Sequence, residues 1–108
     1  MKKFDKNYSL IKDMVNDDYY PQFLVEKIKA LIIPVIDLLE NGETNVNIIQ
    51  EKLDEMTLAI NDLQEEFDEN GSEIETVARD SIAVTIGYIM EWFGIDIDTE
   101  TALRERDW

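Results

Sequence analysis

The chain has 108 residues, of which 44% are hydrophobic and 32% are charged, a balance typical of a folded domain and not of a disordered segment. It contains neither cysteine nor histidine, which excludes disulfides, the usual zinc ligands and the most frequent general base. Its net charge of −15 makes nucleic acid an unfavourable partner, because the phosphates would be repelled.

The negative charge is concentrated in the middle of the chain. Residues 37–75 hold thirteen acidic side chains against Lys52 alone, a net charge of −12. Residues 1–36 hold six lysines against five acids, and residues 76–108 hold three arginines against seven acids. We therefore expect one strongly acidic surface, which would attract a basic protein partner.

Two helices are predicted in the first part of the chain. Ser9 can cap a short helix that extends to Asn16. A long helix follows near residues 21–41. Pro34 lies inside it, where a proline costs about 3 kcal/mol and predicts a kink or a short break around Ile33. The apolar stripe of this long helix consists of Leu24, Ile28, Leu31, Val35 and Leu38.

The next long helix, near residues 45–70, has the most regular pattern. An uninterrupted a/d seam is formed by Val46, Ile49, Leu53, Met56, Ile60, Leu63 and Phe67. Seven acidic residues lie opposite the seam, at b, c or f positions: Glu51, Asp54, Glu55, Asp62, Glu65, Asp68 and Glu69. Leu58 interrupts them. The pattern predicts a helix with one buried edge and one acidic ridge.

A third long helix is predicted near residues 72–93. Gly71 suits the left-handed residue that follows a helix, and Ser72 with Glu75 forms an S-x-x-E capping box for the next one. Glu75 and Arg79 are spaced for an i,i+4 ion pair. This part of the chain is therefore predicted to be a helical hairpin.

A short helix beginning at Asp98 or Thr99 and ending near Arg104 completes the prediction. The chain is thus expected to form one all-α domain over residues 1–108, a small bundle of three long antiparallel helices with short terminal helices. The longest uncharged apolar-rich run, Ser81–Met90, has ten residues against the roughly 18 needed to span a bilayer. We expect no membrane association and a cytoplasmic location.

The hairpin sequence EFDENGSEIETV, Glu66 to Val77, also begins like a calcium loop. Asp68, Asn70 and Gly71 match its third, fifth and sixth positions. The twelfth position, which needs a bidentate glutamate, falls on Val77. The helical hairpin is therefore the better interpretation.

A magnesium-dependent phosphohydrolase is the alternative function. All-helical nucleotide pyrophosphatases hold magnesium with E-x-x-E on one helix and E-x-x-D on the next. Glu66 and Glu69 supply the first half, and Glu73 with Asp80 would have to complete the set, although the second spacing is not matched. Solvated surface carboxylates explain the same residues without a metal.

Aromatic residues near both chain ends are candidates for a contact surface. We expect Tyr20 and Phe23 to dock onto the bundle, whereas Tyr19 and Trp108 fit either docking or an interface. The residues proposed to contact a partner are Tyr19, Leu58, Glu65, Glu69 and Trp108. A homo-oligomer that shares part of the a/d seam between chains is a further hypothesis.

Three blocks, YYPQFLVEKIKA, EEFDENGSEIETVARDSIA and the terminal RDW, resemble a family of small uncharacterised bacterial proteins, a domain of unknown function. The resemblance covers nearly the whole chain and implies a bacterial, cytosolic, all-helical protein. It brings no catalytic residues. The predicted function is a non-enzymatic protein-binding module, of an immunity-like or regulatory kind, with no required cofactor.

Overall fold

A computed structural model describes residues 2–108 and confirms the all-α prediction for this part of the chain. Three long helices, α2 (Gln22–Glu40), α3 (Val46–Glu69) and α4 (Thr76–Phe93), are joined by short connections. Two short helices, α1 (Lys12–Val15) and α5 (Thr99–Ala102), flank them. None of the helices in residues 2–108 combines the length and the apolar character needed to cross a bilayer.

The long helices run up, down and up. Tyr20, just before α2, packs its ring on Phe67 near the end of α3, with 6.5 Å between ring centroids, so α2 and α3 are antiparallel. At the opposite end, Phe4 donates its backbone N–H to Glu40 of α2 at 2.8 Å and stacks on Phe93 of α4. The ends of α2 and α4 therefore lie together, and α4 runs antiparallel to α3.

The a/d seam of α3 is buried inside the chain itself. Six of its seven residues are buried and belong to one continuous core: Ile49, Leu53, Met56, Ile60, Leu63 and Phe67. Val46, the first residue of the seam, is 47% exposed. The regular heptad spacing thus predicted which edge of α3 faces the core.

Of the kink or short break predicted around Ile33, the break is absent, because α2 continues through Pro34 to Glu40. Ala30, whose carbonyl has lost its partner N–H, lies with Ile33 and Pro34 on the exposed side of the helix. Water can reach that carbonyl, and the buried side of α2 keeps its packing. The proline therefore weakens the helix locally without ending it.

The prediction that Ser72 caps the fourth helix is wrong: α4 begins at Thr76 and its N-cap is Glu75. Ser72 belongs to the end of α3, since its N–H donates to the carbonyl of Phe67 at 2.9 Å while that of Gly71 donates to Asp68. Gly71 has the predicted left-handed backbone, with φ of 71°. The side chain of Ser72 is buried and its hydroxyl has no partner within residues 2–108.

The N-terminal segment lies along α4. Tyr8 stacks on Tyr88 with 4.0 Å between ring centroids, and Asp5 accepts a hydrogen bond from the Tyr88 hydroxyl at 2.7 Å. Ile11, whose side chain is fully buried, has a left-handed backbone with φ of 44° and donates its N–H to the Thr85 hydroxyl at 2.9 Å. A β-branched residue in this region is strained, so surrounding contacts must hold it there.

The short terminal helices are shorter than predicted. The first covers Lys12–Val15, within the expected range of residues 9–16. The last covers Thr99–Ala102, and its cap is Asp98, whose carboxylate accepts the N–H of Thr101 at 2.7 Å.

Candidate functional site

One exposed line of α3 carries most of its free acidic side chains. Its residues are spaced alternately by four and three positions, so they lie on the same face of the helix. We define this α3 acidic stripe as Glu51, Glu55, Leu58, Asp62, Glu65 and Glu69, all of them exposed. The stripe is about 27 Å long, from the rise of 1.5 Å per residue. Leu58, 49% exposed, lies near its centre.

The charge of this stripe is largely unneutralised. Glu55 pairs with Lys52 at 3.2 Å. The other four carboxylates form no ion pair with any lysine or arginine of residues 2–108. The structure thus places Leu58, Glu65 and Glu69, three of the predicted contact residues, on one exposed face whose carboxylates are mostly unpaired within residues 2–108.

The neighbouring flank of α3 is covered by the C-terminal segment. Arg104 donates two hydrogen bonds to the Asp54 carboxylate, the shorter at 2.7 Å. Burial raises the pKa of Asp54, but the hydrogen bonds from Arg104 and Gln50 outweigh it and hold that pKa below its usual range. Asn61 also donates to the carbonyl of Glu105 at 2.8 Å. Asp54 therefore leaves the predicted acidic ridge and becomes part of a structural contact.

A lysine of α2 contacts the last turn of α3. Lys27 of α2 contacts both carboxylate oxygens of Glu66, at 2.8 and 3.0 Å, and its ammonium lies 5.8 Å from the centroid of the Phe23 ring. Glu66 is thus neutralised by α2, whereas Asp68 and Glu69 are not paired within residues 2–108. The unfavourable position of these carboxylates near the negative end of the helix is relieved at Glu66 alone.

The aromatic residues before and within α2 divide into docked and exposed side chains. Tyr20 is 1% exposed, as predicted. Phe23 is 51% exposed, so its predicted docking is wrong, and its ring instead borders Lys27 at the surface. Tyr19 is 44% exposed and packs edge-on against Tyr20. Because Tyr20 contacts Phe67, Tyr19 lies at the same end of the molecule as Glu69.

Trp108 is placed differently from the other predicted contact residues. Its ring packs partly buried against the core, with the Arg106 guanidinium 5.9 Å from the ring centroid. Its indole N–H is buried and has no hydrogen-bond partner within residues 2–108. The two alternatives for Trp108 were docking onto the bundle and an interface, and its packing against the core corresponds to docking.

The carboxylates of the magnesium hypothesis lie on both sides of the α3–α4 connection. Glu66 and Glu69 end α3, Glu73 lies in the connection, and Asp80 lies in the second turn of α4. No group of three or more carboxylates in residues 2–108 is close enough to hold a metal ion. Glu66 is engaged by Lys27. Magnesium binding at these four residues stays a prediction.

Sequence reasoning missed the contact between Tyr20 and Glu75. The Tyr20 hydroxyl donates to Glu75, although the two residues are 55 positions apart. Burial, followed by this hydrogen bond, raises the pKa of Tyr20, and the same hydrogen bond lowers the pKa of Glu75. An acidic residue at a helix start is a weak signal for such a contact, because it does not indicate which residue donates the hydrogen bond.

A family model matches residues 4–108, nearly the whole chain. The chain belongs to DUF5713, a family of unknown function. The match confirms the resemblance noted from the three sequence blocks, and it assigns no residue of this DUF5713 chain to a site. No curated protein and no solved structure matches the chain.

Proposed function

We propose that this protein is a non-enzymatic binding module whose α3 acidic stripe contacts a basic protein. The observation that carries the proposal is the alignment of five carboxylates with Leu58 on one exposed face of α3. An immunity-like or regulatory role in the bacterial cytoplasm fits this kind of surface.

The charges favour a partner with lysines or arginines along one face. Carboxylates spaced along about 27 Å attract such a surface over long range and accelerate association at low salt. Charge alone gives little affinity between exposed groups, about 0–1 kcal/mol for each pair. A partner that also covers Leu58 gains the burial of an aliphatic side chain, about 1.5–3 kcal/mol when complete.

The end of the α3 acidic stripe near Glu69 lies beside exposed aromatic residues. At the end near Glu69, Tyr19 and Phe23 are exposed aromatic side chains on the adjacent part of the chain. Tyrosine and phenylalanine are enriched at protein interfaces, and tyrosine is frequent among residues that dominate binding energy. We therefore expect the tightest contacts toward the C-terminal end of α3, with Leu58, Glu65 and Glu69 at their edge.

The test uses two variants of equal net charge. In the first, Asp62→Asn, Glu65→Gln and Glu69→Gln remove charge from the stripe. The control replaces three exposed carboxylates elsewhere, with Asp13→Asn, Asp18→Asn and Asp80→Asn. A short oligolysine is titrated into each ¹⁵N-labelled protein at low salt, and backbone amide shifts are followed.

We expect oligolysine to shift amides along α3 in the wild type and in the control, and to shift them much less in the stripe variant. The same pair of variants is then used to capture partners from a bacterial lysate. A protein retained by the wild type and the control, but lost by the stripe variant and by Leu58→Ser, supports the proposal. Equal loss in both triple variants, or oligolysine shifts spread over the whole molecule, contradicts it.

A further inference from the structure

A hollow of about 660 Å³ lies between the second half of α4 and residues 95–99. Val84 and Gly87 line it from the helix, and Ile95 and Ile97 line it from the segment that follows. Val84 is 65% exposed, more than any other large hydrophobic side chain of residues 2–108. An aliphatic surface is thus left open on α4 although the opposite side of this helix is fully buried.

A second hollow, of about 330 Å³, adjoins the first and shares Ile97 and Asp98 with it. It is lined on its far side by the start of α3, including Val46, which is 47% exposed. The two neighbouring hollows, with Ile97 and Asp98 lining both, are called the α4–α5 groove, defined by Val46, Val84, Glu91, Ile95, Ile97 and Asp98. Two hollows side by side can each take one side chain of an extended segment.

Among the residues that the structure describes, three carboxylates, those of Glu91, Asp96 and Asp98, line the two hollows, against the single cation Arg104. Glu91 lies at the first hollow, and Asp98 lies where the two hollows meet. Neither forms an ion pair with a lysine or arginine of residues 2–108. The backbone N–H and then the hydroxyl of Thr101 hold the pKa of Asp98 below its usual range, so this carboxylate is ionised at neutral pH. Arg104, the cation of the second hollow, is engaged by Asp54.

An ammonium group already lies beside this part of α4. Lys2 donates to the carbonyl of Trp92 at 2.6 Å, and its nitrogen lies 5.0 Å from the centroid of the Trp92 ring. Tyr88 and Glu91 border both this contact and the first hollow. The surface around Glu91 thus accommodates a cation next to apolar side chains.

We propose that the α4–α5 groove binds an extended segment of a protein partner that carries two aliphatic side chains and a neighbouring lysine or arginine. The aliphatic side chains occupy the two hollows, against Val84 with Ile95 in one and Val46 with Ile97 in the other. The cation lies between them, beside Asp98. A second copy of this chain is a poorer occupant, because both copies carry a net charge of −15.

This inference is independent of the function proposed for the α3 acidic stripe. The groove selects aliphatic side chains as well as positive charge, whereas oligolysine offers charge alone. The probe is a capped peptide, Leu-Lys-Leu-Lys-Leu, titrated into the ¹⁵N-labelled full chain. The comparison peptides are Leu-Glu-Leu-Glu-Leu, which reverses the charge, and Gly-Lys-Gly-Lys-Gly, which removes the aliphatic side chains.

We expect the leucine–lysine peptide to shift the amides of the α4–α5 groove and both comparison peptides to shift them much less. Val84→Ser should weaken binding about five- to tenfold, because it removes aliphatic contact area. Glu91→Gln and Asp98→Asn should each weaken it about two- to fivefold. Asparagine keeps the helix cap at position 98, so the second change removes charge without removing the cap.

Matched controls lie on the same helix. Val77 is 40% exposed and outside the groove, so Val77→Ser and Asp80→Asn should leave peptide binding unchanged. The stripe variant described above should also bind the peptide normally, which separates this proposal from the proposed function. Shifts that are absent, that map to α3 alone, or that are equal for all three peptides overturn the inference. Concentration-dependent shifts without peptide would instead identify a second copy as the occupant.

Discussion

The hydroxyl of Tyr20 donates a hydrogen bond to the carboxylate of Glu75, and Glu75 is also the N-cap residue of α4. The carboxylate of Glu75 therefore caps the start of α4 and also accepts a hydrogen bond from Tyr20, which lies just before α2. Tyr20 in turn packs on Phe67 near the end of α3. Three helix ends meet at this single contact, and α4 begins three residues later than its capping box predicts.

Removing the Tyr20 hydroxyl should destabilise the protein without disturbing its core. Tyr20→Phe keeps the ring against Phe67 and leaves the Glu75 carboxylate without its donor. A hydrogen bond to a charged group contributes about 1.5–3 kcal/mol, and partial exposure of Glu75 favours the lower part of this range. Urea unfolding should show a lower midpoint with an unchanged m-value. Tyr19→Phe, at an exposed tyrosine, is the control and should have little effect.

The same contact predicts a pH dependence. The Tyr20 hydroxyl lowers the pKa of Glu75, so the stabilisation it gives is present above the unfolded pKa of about 4.3 and is lost as the pH falls below it. Burial and Glu75 raise the pKa of Tyr20, so its contribution is present below about 10 and is lost as the pH rises further. The difference in unfolding free energy between wild type and Tyr20→Phe should be greatest between these limits. A difference that stays constant from pH 3 to pH 7, to about 0.3 kcal/mol, would contradict this assignment.

Glu69→Gln should stabilise the fold and weaken partner binding. The carboxylate of Glu69 lies in the last turn of α3 with no cation partner in residues 2–108, and this position costs about 0.3–1 kcal/mol at low salt. Thermal unfolding at low and high salt measures the gain, which salt should reduce. Glu66→Gln is the matched control, because it removes the ion pair with Lys27 and should not stabilise. A loss of stability in Glu69→Gln would show that this carboxylate has a structural role.

Pro34→Ala should stabilise α2 by about 2 kcal/mol. Alanine restores an N–H for the carbonyl of Ala30, and this gain of about 3 kcal/mol is reduced by the greater freedom of the unfolded chain. The side chain at position 34 is exposed, so no core contact is lost. Denaturant unfolding measures the change. Pro21→Ala, at the N-cap of α2, serves as the control, and no gain is expected there since the proline is tolerated at a helix start.

Magnesium titration distinguishes the binding module from the hydrolase alternative. Because Lys27 holds Glu66 and no three carboxylates of residues 2–108 converge, we expect Mg²⁺ to raise Tm no more than NaCl of equal ionic strength. A specific increase that Glu66→Gln and Asp80→Asn both abolish would favour a metal site. Calcium is the second control, because general screening of the negative charge would raise Tm with either ion.

The sequence predicted the elements whose signals are local and repeated. The seam from Ile49 to Phe67 identified the buried edge of α3, and Gly71 identified its end. The start of α4 was not predicted, since the S-x-x-E pattern competes with the contact from Tyr20 to Glu75, which is fixed only in the folded chain. The exposure of Val84 could not be predicted for a similar reason, because an apolar residue in a helix does not show whether a neighbouring element covers it.

The arrangement of the residues proposed to contact a partner was predicted in part. Leu58, Glu65 and Glu69 share one face because their spacing in a helix requires it, and the structure places them on that face. Asp54 is also an acidic residue of α3, yet it is engaged by Arg104, 50 positions away. A long-range partner of this kind changes a surface charge into a structural contact, and only the folded arrangement reveals it.

The hydrogen bond from Ile11 to Thr85 has a consequence for how the protein is made. It joins residues 74 positions apart, so this support for the strained backbone at Ile11 is missing until α4 has been synthesised. The pair of α2 and α3 can associate earlier, because its contacts are closer in sequence. During synthesis, the residues around Ile11 would therefore reach their final positions only after α4 has emerged from the ribosome.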